Sequence, residues 1–295
     1  MNHIKLTPEC IKCLLDKYLY DHPEEISEEE KLLYSQELLK IISKAKKDSP
    51  APDILEKIML LQKKMFNYNR DYTEIKKHYN SLVLSLEDEL WNKIITSSDS
   101  IKSALCYSVT GNYIDFGASD SINEDTLESL LNESQDTKLN ENEIENLKND
   151  LKIANNLTFL TDNCGEIALD KLLIRTINYQ YPQINVRVIV RGEPVLNDAT
   201  MEDAIQVGLP DIVSVTHNGS AIAGTSLDKI SKKAKKIIDN SDVIIAKGQG
   251  NFETMRYCQK NAYYLFMCKC KMFSERFGVE RFSPMLVNDL RMKEI

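Results

Sequence analysis

From Asn155 to the end of the chain, short β-branched or aromatic runs alternate with stretches of helical periodicity, and this alternation constrains the fold most. The runs are NLTFLTDN, VRVIVR, DIVSVTH, VIIAK and AYYLFMCKC, the last being the final strand expected. After the first, GEIALDKLLIRTI places Leu169, Leu173 and Ile177 at i, i+4 and i+8, a single helical stripe. Further helices are expected from near Thr200 and from about Ser226, where Leu227, Ile230, Ala234, Ile237 and Ile238 trace one face. Strands alternating with helices build βαβ units, and hence a mostly parallel sheet covered on both sides.

The preceding region reads differently. Between Pro8 and Trp91 the chain is rich in Leu, Ile, Lys and Glu and holds no glycine. Ser27 and Glu30 form a capping-box pattern, after which Leu32, Leu33, Tyr34, Leu38, Leu39 and Ile42 suit a helix with one broad buried face. The expected division is a helical N-terminal region over residues 1–98 and an α/β core over 99–295. Residues 122–150 are Asn- and Glu-rich and read as a solvated connection in preference to a pair of amphipathic helices.

A net charge of -8 argues against a general nucleic-acid binder, which needs a basic face to displace counterions. The 13 tyrosines scatter without basic interleaving. No run approaches the roughly 20 apolar residues that span a bilayer. The opening MNHIKLTPECIKC has no apolar signal core, so the cytoplasm is the expected compartment. Seven cysteines, an odd number, do not suggest a secreted disulfide framework. Cys10-x-x-Cys13 and Cys268-x-Cys270 could meet around a structural zinc, but such distant pairs are a weak signal beside ordinary buried thiols.

In open parallel sheets, ligands sit beyond the carboxyl ends of the strands. Those ends carry TDNCGE from Thr161, RGEPVLNDAT from Arg191, THNGS from Thr216 and KGQGNFE from Lys247. Asp162 and Asn163 follow an apolar strand directly, and Asp198 closes the neighbouring strand unit. Oxygen ligands of this kind suit a hard divalent cation such as Mg²⁺ or Mn²⁺. Local spacing leaves a second reading open, because Asn163 and Glu166 form an N-x-x-E cap and Asp198 precedes a Thr200–Asp203 cap. Lys247, followed by Gly248, Gln249 and Gly250, suits a phosphate contact or a surface lysine beside a tight turn. A dinucleotide fingerprint would need a third glycine, and the chain has no G-x-x-x-x-G-K-[ST] loop. Cys164 stands where an aspartyl-phosphate enzyme would place a second aspartate, which favours a metal-activated water over a covalent intermediate.

Together TDNCGEIALDKLLI, VRGEPVLNDATMEDA, the NGSAIAGT turn, IAKGQGNFET and ALCYSVTGNYIDFG resemble, in order and spacing, the damage-control metal-dependent phosphatase family. The opening P-E-C-x-x-C is similar to its stand-alone prokaryotic branch. The resemblance implies a Rossmann-like three-layer α/β/α core behind an N-terminal helical region. It also implies hydrolysis of phosphate monoesters of small metabolites, such as sugar phosphates, with manganese, magnesium, cobalt or nickel. Carried over by residue, it makes Asp162, Asn163 and Asp198 the metal ligands, with Asp162 or Asp198 orienting the attacking water. Lys247 becomes the phosphate grip, Glu166 lies in or beside the site, and Asn112, Asp115, Arg191 and Asn197 line the pocket. Cys164 departs from the family pattern, where a small residue is usual. Two rivals stand beside this reading. A non-catalytic sensor of sugar phosphates or nucleotides would not need the Asp162–Asn163–Asp198 cluster, and a protein carboxyl methyltransferase would need an adenosyl-cofactor motif that does not stand out.

Overall fold

The computed structural model describes residues 3–68, 70–113 and 124–293. Its centre is a six-stranded sheet of β1 (Asn156–Leu160), β2 (Asn185–Val190), β3 (Ser214–His217), β4 (Val243–Lys247), β5 (Ala262–Met267) and β6 (Pro284–Asn288). The order is β3-β2-β1-β4-β5-β6, parallel throughout except for β6, which runs antiparallel to β5. Direction of winding reverses between β1 and β4, so the crevice of a doubly wound sheet opens there. AYYLFMCKC is therefore not the last strand. PMLVN is short and begins with proline, a composition tolerated at a sheet edge, which left it without a strand signature.

Both faces of the sheet are covered, and strand parity shows it. Leu157, Phe159, Val243, Ile245, Tyr263 and Leu265 face one apolar cluster, while Leu160, Ile244, Ala246, Tyr264 and Phe266 face another. The first cluster is filled by α5 (Glu87–Thr96), α6 (Ser100–Thr110), α7 (Glu124–Glu133), α8 (Glu141–Ile153), α9 (Glu166–Gln180) and α10 (Met201–Gln206). The second is filled by α11 (Lys232–Asp239), α12 (Gly248–Met255) and α13 (Lys271–Phe277). This is the three-layer α/β/α core.

Helices α1 (Pro8–Tyr18), α2 (Glu28–Ser43) and α3 (Ala51–Phe66) form a third cluster, which also takes in Leu196 and Ala223 from loops at the carboxyl edge of the sheet. Buried Asp53 of α3 accepts from the Ser226 hydroxyl (2.6 Å). The N-terminal helices thus lie against loops that follow β2 and β3. Helix α4 (Thr73–Leu84) joins them to the core, with Val83 in the first cluster.

Several local expectations are met. Ser27 and Glu30 form the capping box of α2, and Leu169, Leu173 and Ile177 of α9 are buried. Others are corrected. On α2 only Tyr34, Leu38 and Ile42 are buried, whereas Leu32 is 60% exposed and Leu33 and Leu39 are also exposed, because α3 covers a single narrow stripe. Helix α11 starts at Lys232 and not near Ser226, since the Ser231 hydroxyl takes the Ala234 N–H and sets the cap there. Within the stretch expected to be a solvated connection, residues 124–150 are not one. Leu127, Leu131, Ile144, Leu147 and Leu151 of α7 and α8 are buried in the first cluster, at helical spacing that the polar composition concealed. Among the described residues no helix is long and apolar enough to cross a membrane.

Packing of α8 gives a direct test. Leu147→Ala should lower the unfolding free energy by about 2–5 kcal/mol through cavity formation. Exposed Leu32→Ala should stay within about 0.5 kcal/mol. Urea denaturation of the two variants measures both, and equal small effects would return α8 to the surface.

Candidate active site

Strand β1 ends at Leu160, and Thr161, Asp162, Asn163, Cys164 and Gly165 lead into α9. Gly165 has φ +69°, a left-handed turn suited to glycine at this helix entry. Glu166, fully buried in the first turn of α9, reaches back so that its Oε2 accepts from the Asn163 backbone N–H (3.1 Å) and the Asn163 amide (3.2 Å). Only half of the capping pattern read from the sequence is made: Glu166 reaches back to the Asn163 N–H, but its own N–H goes to Cys164 O and the helix cap falls on Gly165. The same Asn163 amide donates to Asp162 Oδ2 (3.0 Å), so its carbonyl oxygen is the atom it can offer a cation. Asn112, just past α6, donates to Asp162 Oδ2 and to Glu166 Oε2 (3.2 Å each), while its own oxygen accepts the Met267 N–H of β5 (3.1 Å).

Beside it, the loop after the neighbouring strand β2 folds back along this segment. Cys164 N–H donates to Asn197 O (2.9 Å), Ala199 N–H to Asp162 O (2.6 Å) and Arg191 N–H to Ala199 O (2.9 Å), and Asn163 and Asp198 form an isolated antiparallel bridge. Leu196 takes a left-handed φ of +48° to make this return, an uncommon conformation for a residue with a β-carbon. Asp198 is thereby delivered to Asp162. Arg191 joins the two carboxylates: its Nε donates to Asp198 Oδ2 (2.6 Å) and its Nη2 to Asp162 Oδ1 (3.2 Å). The guanidinium is 1% exposed and also donates through Nη1 to Asn251 Oδ1 (3.3 Å). Asn251 in turn accepts from the Thr225 hydroxyl and donates to Thr161 O and Lys247 O.

Lys247 is not at the rim of the crevice, nor on the surface. It is fully buried, and its ammonium donates to Glu166 Oε1 (2.6 Å), Asp170 Oδ1 (2.7 Å) and Ser108 O (2.8 Å). Parity explains the difference, because Val243, Ile245 and Lys247 lie on the same face of β4 and that face is roofed by α6 and α9. Gly248, with φ +78°, follows at the crevice, and a β-carbon there would lie 1.9 Å from Asp162 Oδ2. Asp162 packs directly against this glycine.

Four carboxyl groups, Asp162, Asp198, Glu166 and Asp170, thus meet two directly bonded cations, Arg191 and Lys247. Fully ionised, the cluster would carry two negative charges in excess in a dry setting, which is costly. Protonation shows the cost. Burial, then the Asp198 and Glu166 charges, raise the Asp162 carboxyl well above the usual range, against the pull of Arg191 and Lys269. Burial pushes Asp170 up to about 7 despite Lys247. Its Oδ2 is buried without a partner among the described residues, as a protonated carboxyl tolerates better than a charged one. Burial pulls the Lys247 ammonium down, but Asp170 and Glu166 outweigh it and raise it, so Lys247 remains a cation.

The remaining expected residues fall as follows. Asn197 is buried beside Asp198, its amide nitrogen without a partner among the described residues. Asp115 lies outside the described residues. Cys10 and Cys270 pack in the second cluster and Cys13 is exposed; among the described residues no three His, Cys, Asp or Glu side chains gather as a metal-binding group. The atoms that could hold a cation are oxygens of Asp162, Asn163 and Asp198, one of them an amide. Sequence reading missed Asp170, Ser108 and Asn251. Asp170 was detectable as the residue four beyond Glu166 on one helical face, and Asn251 as the polar residue closing GQGN. A cleft of ≈ 530 Å³ opens beside the loop that carries Asp198, lined by Lys76, Leu196, Thr200, Asp203 and Gln206 among others. Asp162, Asn163 and Asp198 are not among its lining residues.

A doubly wound sheet with carboxylates gathered at its switch point defines the chain as an open-sheet α/β protein. The chain belongs to the damage-control phosphatase ARMT1-like domain family, whose model matches residues 6–284. An uncharacterised protein of Methanocaldococcus jannaschii is 30% identical over 94% of this chain and 93% of its own length. A damage-control phosphatase of Archaeoglobus fulgidus is 27% identical over 94% and 96%. The crystal structure of a DUF89 family protein from Pyrococcus horikoshii matches with a TM-score of 0.84 at 23% identity, covering 97% of this chain and 100% of that one, a likeness of fold. Family membership supports a phosphatase role.

Two expected outcomes follow from the geometry. Gly248→Ala should displace the Asp162 carboxylate and strain a positive-φ turn, costing roughly 1–3 kcal/mol of stability by chemical denaturation. For Asp170, the folded chain keeps a proton up to about pH 7, where the unfolded chain releases it near about 4. Between those values the folded state binds more protons, so unfolding free energy falls as pH rises through the window. Asp170→Asn should flatten that decline, as urea unfolding from pH 4.5 to about 7.5 would show.

Proposed function

We propose that this chain is a metal-dependent phosphatase hydrolysing phosphate monoesters of small metabolites, sugar phosphates among them, with a divalent ion (Mn²⁺, Mg²⁺, Co²⁺ or Ni²⁺) held by Asp162, Asn163 and Asp198. The observation that carries the reading is the convergence of both aspartates on the Arg191 guanidinium, with Asn163 bridged to Asp198. The donor set fits such an ion: two carboxylates and an amide oxygen are hard ligands, and the excess of two negative charges matches a divalent cation. When bound, the ion supplies Lewis acidity toward a phosphoryl oxygen and a more acidic water.

The side chains around it do the positioning. Arg191 holds the inner oxygens of both aspartates at fixed angles. Glu166 and Asn112 set the Asn163 amide and Asp162 Oδ2 through hydrogen bonds that fix which atom each presents. Lys247 holds Glu166 in place through its 2.6 Å bond to Oε1 and supports the site from below, in a role other than the direct phosphate grip implied by resemblance. Asp162 or Asp198 orients the attacking water. Phosphoryl transfer then depends on alignment and charge neutralisation, with little covalent work for the protein.

Release of inorganic phosphate from an aryl phosphate, with and without Mn²⁺, tests the reading. Activity should require the metal, and Asp198→Ala should lower it by at least about 100-fold while circular dichroism stays unchanged. No release with any of the four metals would leave the non-catalytic sensor as the better account, and full activity in Asp198→Ala would remove that residue from the mechanism.

A further inference from the structure

Helix α4 presents two polar side chains, one turn apart, to the loops that carry the candidate ligands. Asn80 is completely buried, in a helix whose only other buried residue is Val83. Its Oδ1 accepts the Gly165 N–H (2.6 Å), and its Nδ2 donates to Asp203 Oδ1 and to Gln206 Oε1 (2.9 Å each). Lys76, four residues earlier and so on the same face, donates to the Asp198 carbonyl (2.8 Å) and pairs with Asp203 Oδ2 (2.6 Å). Asp203 also accepts from the Thr200 N–H and hydroxyl (2.8 Å each). The carboxylate is therefore a hub: both of its oxygens are taken, and they tie Lys76 and Asn80 to each other and to the start of α10.

We infer that Lys76 and Asn80 are positioning residues for the metal centre, through which the N-terminal helical layer sets the spacing between the Asp162–Asn163 and Asp198 loops. The inference rests on the metal site proposed above and deepens it. The peptide unit joining Asp198 to Ala199 is gripped at both ends, its carbonyl by Lys76 and its N–H by the Asp162 carbonyl. It cannot rotate, and so swing the Asp198 carboxylate away from Arg191, without breaking a charge-assisted bond. Gly165 lies two residues after Asn163 and one before Glu166. Holding its N–H fixes the left-handed turn through which Glu166 reaches back to Asn163. One turn of α4 thus pins both loops relative to each other, although neither side chain touches a candidate ligand atom.

A support that only stabilised the fold would lower the melting temperature of a variant and leave metal affinity unchanged. A positioning support alters affinity for the metal itself, because misplaced ligands bind it less well. Calorimetric titration of the full chain with Mn²⁺ alone, without substrate, separates the two. Lys76→Met and Asn80→Leu should each weaken Mn²⁺ binding by roughly 10–100-fold. Turnover at saturating Mn²⁺ should change far less than affinity does. Lys76→Gln, which keeps a donor for the Asp198 carbonyl but loses the charge facing Asp203, should fold readily and show a smaller loss. Lys77→Met, which removes an exposed pair with Glu74, is the control and should bind as the wild type does. Wild-type Mn²⁺ affinity in Lys76→Gln and in whichever of Lys76→Met and Asn80→Leu folds would overturn the positioning role and leave the metal site standing. Absence of Mn²⁺ binding by the wild type would overturn both.

Discussion

One guanidinium organises the edge of this sheet. Arg191 is almost wholly excluded from water and bonds two aspartates and an asparagine that come from three different crossovers. A buried ion is tolerable only where its hydrogen bonds are complete and its charge is met. That requirement makes the surrounding loops mutually dependent. Asp162 follows β1, Asp198 closes the loop after β2, and Asn251 lies in α12 beyond β4. Removal of any one would leave Arg191 incompletely partnered. The same logic applies one layer deeper, where Lys247 binds Glu166 and Asp170. The two cations are linked through Asn251, which takes a bond from Arg191 and gives one to the Lys247 carbonyl.

Much of the architecture was legible because period and composition act locally. The alternation from Asn155 marks five strands and their helices, since a strand covered on both faces must be apolar along its length. The capping box at Ser27 and the stripe on α9 are likewise written within one turn. What escaped the sequence depends on partners distant in the chain. Leu32 and Leu147 look equally apolar, yet α3 leaves the first in water and the core buries the second. The edge strand β6 has no pattern of its own and exists because β5 offers it a ladder of donors and acceptors.

At the site the sequence located the loops and misjudged the direction of one side chain. Asp162, Asn163, Asp198, Glu166 and Arg191 all meet, as the position of strand ends in an open sheet leads one to expect. Lys247 was read as an edge residue because glycines follow it. Counting from Val243 in steps of two would have placed it under α6 and α9. Asp170 and Ser108 are invisible to motif reading for the same reason, since each matters only once Lys247 is buried between their helices. The helical region supplies the other gap. It reads as an amphipathic cover, but Leu196 and Ala223 lodge in its cluster and Asp53 binds Ser226, so it is fastened to the loops after β2 and β3.

Leu196 shows what that attachment entails. Its left-handed backbone would suit glycine, which would relieve a penalty on the order of 1 kcal/mol or more. Glycine, however, has no side chain to lodge among α1, α2 and α3. The loop is held by a residue ill-matched to its torsion angles and well-matched to its neighbours, and the misfit is kept because the side chain is the tether. Any homologue that lengthens or trims those three helices must therefore re-anchor this loop by other means, so the divergence of an outwardly peripheral region is bound to the geometry of the crevice.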